Sequence, residues 1–225
     1  MPYIGYFSLI KHVDQFILFD TPQFIRHGWI ERNRILKENG EPLYIKVPLK
    51  KHKREAAINK LVINNSVSWK DKILAQLIPY KKKAPHYNVV IKLFQDVFEE
   101  ETESIVELNY VSLRKICDHL DIKTEIKIWS EMKVDIEVVI AADEWALNIC
   151  KAINADTYYN AIGGASFFDK SKYENAGISL NFMETEPIHY TQFDNEFIPW
   201  LSIIDIMMFN SVEEINVMLD NYQLV

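Results

Sequence analysis

The chain has 225 residues, of which 48% are hydrophobic and 25% charged, and its formal net charge is −7. This composition is typical of a soluble globular protein, and the length suits one large domain or two small ones with a substantial core. No apolar run is long enough to span a bilayer and no basic-then-apolar leader is present, so we expect a cytoplasmic protein.

The first predicted elements are a short helix over residues 5–10 and a buried strand over residues 16–19. Asp20 ends that strand, and the chain then turns at Thr21-Pro22. Three guanidiniums, an imidazole, an indole and an amide follow within nine residues: Arg26, His27, Trp29, Arg32, Asn33 and Arg34. Ligands of open α/β sheets lie outside the carboxyl ends of strands. This segment therefore favours an anionic or phosphorylated ligand, with a charged loop beside a β-hairpin as the alternative.

A β-hairpin is predicted next, because Asn39-Gly40 separates strands at residues 32–36 and 43–48. Arg32 and Arg34 alternate along the first of these strands. Both are therefore expected on one face of the sheet, where they would bind phosphate. The basic segment at residues 50–54 is either a solvated loop or a mobile flap that binds phosphate or a carrier. A brief strand is predicted at residues 61–63.

Charge is distributed unevenly along the chain. Residues 26–60 contain ten Lys/Arg and four Glu, a balance of +6, whereas residues 173–225 contain nine acids and no Lys or Arg. The net positive charge of residues 26–60 favours binding of a phosphate group. The acidic remainder argues against broad nucleic-acid binding.

Helical periodicity predicts three helices at residues 68–78, 89–99 and 104–120. The basic segment at residues 80–87 separates the first two of these helices. Further along we expect a strand at 123–129, a helix at 144–153 capped by Asp143, a strand at 157–162, a helix at 168–174 and a strand at 178–182. Gly163-Gly164 ends the strand at 157–162, and it permits either close approach of a ligand or a positive-φ turn.

A nearly apolar helix is predicted over residues 198–210, and Asp205 interrupts it. A buried acid must be paired or protonated. Asp205 is therefore either a catalytic carboxylate or the partner of an arginine from the basic residues 26–60.

Strands alternating with helices predict an α/β fold, mainly a parallel sheet flanked by helices, with a β-hairpin and an inserted helical section. Cys117 and Cys150 lie in apolar, helical contexts, which favours core packing over a disulfide or a metal site. The six histidines are scattered singly, and no phosphate-binding loop, nucleophile elbow or Cys–His signature occurs. We expect neither a metal nor a cofactor.

The chain resembles the WbqC-like protein family along essentially its whole length, which implies a single domain over residues 1–225. The resemblance rests on these segments in this order: PYIGYFSLI, DQFILFD, FIRHGWIERNRI, KVPLKK, YKKKAPHY, NADTYYNAIGG, NAGISL and FIPWLSIIDIMMFNS. Family members begin with a further short strand and a Gln-Pro-aromatic turn, so that strand is expected to be missing here. The position of His86 is typically aromatic in the family, which argues against His86 as a base.

The resemblance implies an aminoacyl (glycine-type) transferase that modifies an amino sugar in the biosynthesis of O-antigen or another surface polysaccharide. The family's recurring polar positions correspond to Gly5, Tyr6, Asp20, Gln23, Trp29, Arg32, Asn33, Arg34, Gly163, Gly164, Ser202, Asp205 and Asn210.

For that reaction, Asp20 is the predicted base, and Asn33 with the Gly163-Gly164 amides would stabilise the oxyanion. Gln23, Arg32 and Arg34 would bind the substrate, the arginines through phosphates of a nucleotide-sugar or of a phosphopantetheine-bearing aminoacyl carrier. Tyr6 and Trp29 would stack on the base or sugar. The alternatives are a non-catalytic nucleotide-sugar-binding or scaffold protein and, by fold analogy alone, a nucleotidyl transferase.

Overall fold

The computed structural model describes residues 1–193 and 196–225. The helices within this part are α1 (Ile4–Lys11), α2 (Trp69–Leu77), α3 (Tyr87–Glu99), α4 (Ile105–His119), α5 (Glu144–Ala152), α6 (Lys170–Asn175), α7 (Ile203–Phe209) and α8 (Val212–Leu219). The strands are β1 (Gln15–Leu18), β2 (Arg32–Leu36), β3 (Pro42–Lys46), β4 (Glu125–Ile128), β5 (Thr157–Ala161), β6 (Ser179–Thr185) and β7 (Tyr222–Leu224).

The described strands form three small sheets. β1 pairs with β4 in parallel, and β2 and β3 form the predicted antiparallel hairpin. The third sheet has the order β5-β6-β7, with β5 and β6 parallel and β7 antiparallel. The prediction of an α/β fold is confirmed. The expected single, mainly parallel sheet is not seen in the described residues, because the two parallel pairs belong to separate sheets.

Helices α2, α3 and α4 are the predicted helical section, inserted between the hairpin and β4. Their apolar faces join the main hydrophobic cluster, which includes Phe7, Ile35, Phe94, Ile116 and Met208. A smaller cluster lies around α5, α6 and the third sheet, at Leu147, Cys150, Tyr173 and Ile178. Burial in these clusters is what the helical periodicity predicts, since it places apolar side chains on one face.

Both cysteines are free thiols in buried positions. Burial raises the pKa of Cys117 to about 12 and that of Cys150 to about 11. A thiol held in its protonated form is a poor nucleophile and a poor metal ligand. The two residues are packing side chains, as their sequence context predicts.

Three local predictions are corrected by the structure. The strand expected at residues 61–63 is reduced to isolated bridges, from Ile63 to Leu49 and from Val62 to Ser104. Asp143 precedes α5 without a side-chain capping bond, because its carboxylate pairs with Lys172 at 3.1 Å. The C-terminal apolar helix begins at Ile203 rather than at residue 198.

In the described residues, the helices are all too short or too polar to cross a bilayer. Within the same part of the chain, no group of three or more His, Cys, Asp or Glu side chains is placed to hold a metal ion.

Candidate arginine–tryptophan binding site

The hairpin presents a cationic, aromatic face. In its register Arg32 lies opposite Lys46 and Arg34 lies opposite Tyr44, so these four side chains share one face. The guanidinium carbon of Arg32 lies 4.6 Å from the centroid of the Tyr44 ring. The period of two along β2 thus gives the arrangement that the sequence predicts.

Arg32 is bound to the turn that precedes β2. Its Nε donates to the main-chain oxygen of Gly28 at 3.2 Å, and its Nη2 donates to that of His27. This turn is tight, because His27 has a φ of 63° and a Cβ on Gly28 would lie 2.9 Å from the oxygen of Ile25. Arg32 therefore holds the turn that carries the next residue, Trp29.

Arg34 contacts two exposed tryptophans, one through its ring and the other through its main chain. Its Nη2 donates to the main-chain oxygen of Trp200 at 3.4 Å, and its guanidinium carbon lies 6.0 Å from the centroid of the Trp29 ring. Trp29 is 59% exposed and Trp200 is 47% exposed, so both indoles face solvent. The Nε of Arg34 is buried and has no hydrogen-bond partner. A buried donor without a partner is costly in free energy.

Trp200 is held in a strained conformation. Its φ of 59° lies in the left-handed region that bulky residues rarely adopt. Hydrogen bonds fix the chain on both sides, from the Ser202 N–H to the oxygen of Arg34 at 2.9 Å and from Gln192 Nε2 to the oxygen of Ile198 at 2.9 Å. The rings of Tyr3 and Trp200 pack in a T-shaped arrangement, with centroids 5.9 Å apart.

Sequence analysis did not select Trp200. The only local signal is an indole after Pro199 in an otherwise aliphatic run, and that pattern is equally typical of a core residue. Its partner Arg34 lies 166 residues earlier in the chain, so the site forms only when the chain folds.

Asn33 connects β2 to the first residue of the chain. Its Nδ2 donates to the main-chain oxygen of Met1 at 2.7 Å, and its Oδ1 accepts from the Arg34 N–H at 2.8 Å. Ser202 Oγ donates to the same Met1 oxygen at 3.1 Å. These bonds give Asn33 a positioning contact beneath Arg34, and its oxyanion role stays a prediction.

Asp20 lies at the junction of β1 and β4 and is 3% exposed. Parallel strands end at the same edge, so the residues after β1 meet the residues after β4. Asp20 accepts from the Ser130 N–H at 3.0 Å and from Ser130 Oγ at 2.6 Å. Ser130 itself is exposed. Nearby along the chain, Thr21 Oγ1 is buried without a hydrogen-bond partner. The contacts of Asp20 are therefore with Ser130, and the hydroxyl of Ser130 connects it to solvent.

Tyr6 and Gln23 serve different parts of the structure. The Tyr6 ring packs against Phe16 of β1, with centroids 5.2 Å apart, and burial raises the pKa of its phenol. Gln23 Nε2 donates to the main-chain oxygen of Arg54 at 3.1 Å. The Phe24 N–H also donates to the main-chain oxygen of Ala56 at 2.9 Å. These two bonds attach the end of the basic segment at residues 50–54 to the loop after β1.

Gly163 and Gly164 lie in the 3-10 turn Ile162–Phe167 that follows β5. Neither has a positive φ, so the positive-φ alternative is wrong. A Cβ on Gly163 would meet nothing within 4 Å, and one on Gly164 would lie 3.3 Å from Asn160 Nδ2. Open space beside Gly163 is compatible with the predicted approach of a ligand to the backbone.

Asp205 is fully buried in α7, and its partners are hydroxyls and an amide. It accepts from the hydroxyl of Tyr80, from that of Tyr190 at 2.6 Å and from Gln192 Nε2 at 3.4 Å. The predicted arginine partner is wrong, because these neutral donors occupy the carboxylate. Desolvation raises the pKa of Asp205 to about 6, against the bonds from the two tyrosines and Gln192, which lower it.

Asn210 ends α7. Its Nδ2 donates to the main-chain oxygen of Ile206 at 2.8 Å, one turn earlier. The side chain thus satisfies a carbonyl of the last helical turn, which is a structural contact.

The fold and the site together define an α/β protein with an arginine beside the ring of one exposed tryptophan and bonded to the main chain of another. The chain belongs to the WbqC-like protein family, whose sequence model matches residues 1–217. It is also similar to the uncharacterized protein Rv1507c of Mycobacterium tuberculosis, with 27% identity over 210 residues that cover 92% of this chain and 88% of that protein. No solved structure matches the chain significantly.

Proposed function

We propose that the protein binds a nucleotide-sugar at Arg34 and acts as an aminoacyl (glycine-type) transferase on an amino sugar during O-antigen or other surface-polysaccharide biosynthesis. The observation that supports binding most strongly is that the Arg34 guanidinium lies near the exposed Trp29 ring and donates to the main-chain oxygen of Trp200, whose indole is also exposed. Guanidiniums bind phosphate through paired N–H groups, and indole faces stack on bases and sugars.

The electrostatics of the hairpin support an anionic ligand. Lys46 is exposed and shares a face with Arg32 and Arg34, so three positive charges lie on one side of two short strands. Charges of one sign on a common face attract an oppositely charged ligand and increase its rate of association. A phosphorylated sugar, or the phosphopantetheine of an aminoacyl carrier, has that charge.

Asp20 is the proposed base, and it acts through Ser130. In aminoacyl transfer the sugar amine attacks the acyl carbonyl, a C–N bond forms and the bond to the carrier breaks. The amine proton passes to Ser130 Oγ as the hydroxyl proton of Ser130 passes to Asp20. The proton then returns from Asp20 through Ser130 to the departing carrier, which leaves as a thiol, so that Asp20 is again a carboxylate. The 2.6 Å bond between the two side chains supports this relay, since Asp20 is buried and Ser130 is exposed.

A non-catalytic nucleotide-sugar-binding or scaffold protein is the alternative. Both carboxylate oxygens of Asp20 accept hydrogen bonds from Ser130. This observation favours the alternative, because a carboxylate that is already bonded is less available as a base. Such a protein needs Arg34 and the tryptophans but no base.

A product assay with an amino-sugar nucleotide and an activated glycyl donor, followed by mass spectrometry, separates these functions. We expect a product heavier by one glycyl group, and we expect Asp20→Asn and Ser130→Ala to abolish turnover while ligand binding is kept. Thr157→Ala, a substitution at the start of β5, is the matched control and should keep turnover. Tight binding without product in the wild type supports the scaffold function.

A further inference from the structure

The basic segment at residues 50–54 carries three cations without a partner among the described residues. Lys51, Lys53 and Arg54 are exposed, and their side chains make no ion pair or hydrogen bond with that part of the chain. The first lysine of the segment differs, because it pairs with an acid on a neighbouring loop. Glu55 follows and is exposed, so three free cations lie beside one carboxylate. A surface of this kind attracts an anionic partner.

The main chain of this segment is held against the loop that follows β1. Gln23 Nε2 donates to the main-chain oxygen of Arg54 at 3.1 Å, and the Phe24 N–H donates to that of Ala56 at 2.9 Å. The rings of Phe24 and His52 pack in a T-shaped arrangement with centroids 5.3 Å apart. These contacts give the free cations a defined base, which reduces the ordering that a partner must impose when it binds.

The same pairing of two loops leads to Asp20, the proposed base. It is antiparallel, and the Ile58 N–H donates to the oxygen of Pro22 and the Asn59 N–H to that of Asp20, both at 2.9 Å. Five residues separate Arg54 from Asn59, and an extended chain covers at most about 18 Å in that length. The free cations and the proposed base therefore lie at the two ends of one short pair of loops.

An acidic carrier protein has the chemistry that matches this arrangement. Its acidic surface complements the free cations, and its phosphopantetheine arm begins with a phosphate that lysine and arginine bind. The arm ends in a thiol that holds an acyl group as a thioester. Its extended length is of the same order as the separation between the basic segment and Asp20, so a carrier bound at the segment can present the thioester to the proposed base.

An anionic membrane matches the segment less well. Residues 51–55 present no exposed apolar side chain for insertion, and the neighbouring loop at residues 20–27 presents one large one, Ile25, which is 75% exposed. Single exposed apolar side chains are common on soluble proteins. A few cations alone bind a membrane weakly, and the net charge of −7 opposes the approach of this chain to an anionic bilayer.

We propose that Lys51, Lys53 and Arg54 bind the acidic surface of a carrier protein, which presents a glycyl thioester on its phosphopantetheine arm to Ser130 and Asp20. The inference rests on the proposed function for the transfer that follows, and it names the donor as a carrier-bound thioester. Binding of the carrier requires neither Arg34 nor the tryptophans.

The first test is binding of a fluorescently labelled holo-acyl carrier protein loaded with glycine, measured by anisotropy at low and high salt. The wild type should bind it, and the affinity should fall as salt screens the charges. Lys51→Glu/Lys53→Glu should weaken binding about tenfold or more at low salt, because two attractions become repulsions. Lys81→Glu/Lys82→Glu makes the same change of net charge at exposed lysines elsewhere and should bind as the wild type does.

A second measurement separates the docking of the carrier from the transfer reaction. The wild type should have a higher kcat/KM with the glycyl carrier than with glycyl-pantetheine, which lacks the carrier protein. This preference should fall about tenfold in Lys51→Glu/Lys53→Glu and be kept in Lys81→Glu/Lys82→Glu. Absence of transfer from both donors in the wild type contradicts the proposed function, and the binding measurement then decides the docking by itself.

Three results of the binding measurement overturn the docking proposal. The first is that the wild type does not bind the carrier at low salt. The second is equal affinity of the wild type and Lys51→Glu/Lys53→Glu for the carrier. The third is tighter binding of the wild type to phosphatidylglycerol vesicles than to the carrier, which would assign the cations to a membrane surface.

Discussion

Arg34 donates a hydrogen bond to the main-chain oxygen of Trp200, 166 residues later in the chain, at 3.4 Å. This bond joins the hairpin to the segment that leads into α7, and Asn33 and Ser202 strengthen the junction by sharing the oxygen of Met1. Hydrogen bonds therefore hold the segments that carry Arg34 and Trp200 in place before a ligand binds. A site that is already ordered needs little reorganisation, which favours binding.

Trp200→Asn tests the contribution of the second indole. Asparagine tolerates the left-handed backbone better than tryptophan does, so the melting temperature should change by only a few degrees. Loss of the stacking surface should weaken nucleotide-sugar binding about tenfold. Binding is measured by calorimetry and stability by thermal unfolding. Trp145→Asn, at a ring that packs on Phe19, is the control for tryptophan loss in general and should bind as the wild type does.

The pKa of Asp205 predicts a pH dependence of stability. Its value in the folded protein is about 6, against an ordinary value of 3.8. The folded state thus holds this proton more tightly than the unfolded chain does. The stabilising contribution is complete below pH 4 and is lost as the pH rises to 6, by about 3 kcal/mol in the free energy of unfolding.

Asp205→Asn isolates this contribution, because other titrating groups are common to both proteins. The difference in unfolding free energy between wild type and Asp205→Asn should fall between pH 4 and pH 6 and be constant above pH 7. Urea unfolding at each pH provides the measurement. A difference that does not change with pH would show that Asp205 titrates as an ordinary carboxyl.

Tyr80→Phe should destabilise the protein more than its small change in volume implies. The Tyr80 hydroxyl donates to Asp205 and accepts from the Leu36 N–H at 2.8 Å. Its loss leaves the buried N–H of Leu36 unpaired and removes a donor from a buried carboxylate. The cost is about 1–3 kcal/mol in the free energy of unfolding. Tyr110→Phe, on the partly buried surface of α4, should cost much less in the same urea titration.

Local patterns predict much of this structure. The Asn39-Gly40 pair predicts the hairpin, helical periodicity predicts α2, α3 and α4, and the alternation along β2 places Arg32 and Arg34 together. Each of these features depends on residues close in sequence, where spacing determines which side chains share a face.

The remaining features depend on contacts between distant residues. Strand pairing is of this kind, so alternation of strands and helices predicts an α/β fold but does not say that β1-β4 and β5-β6 belong to separate sheets. The partners of Asp205 come from two other segments, and a buried acid accepts hydroxyl donors as readily as an arginine. Trp200 was missed because its contact with Arg34 joins residues that lie 166 positions apart in the chain.

The central claim is that Arg34 binds the phosphate of a nucleotide-sugar, and calorimetric titration with uridine-, guanosine- and thymidine-diphosphate hexoses tests it most directly. The wild type should bind at least one of them. Arg34→Ala should weaken that binding about 10- to 100-fold, and Arg34→Lys, which keeps the charge but loses the paired N–H groups, about tenfold. Arg114→Ala, on α4 in an ion pair with Asp118, should bind as the wild type does. Equal affinity of the wild type and Arg34→Ala for every ligand that binds would contradict the account.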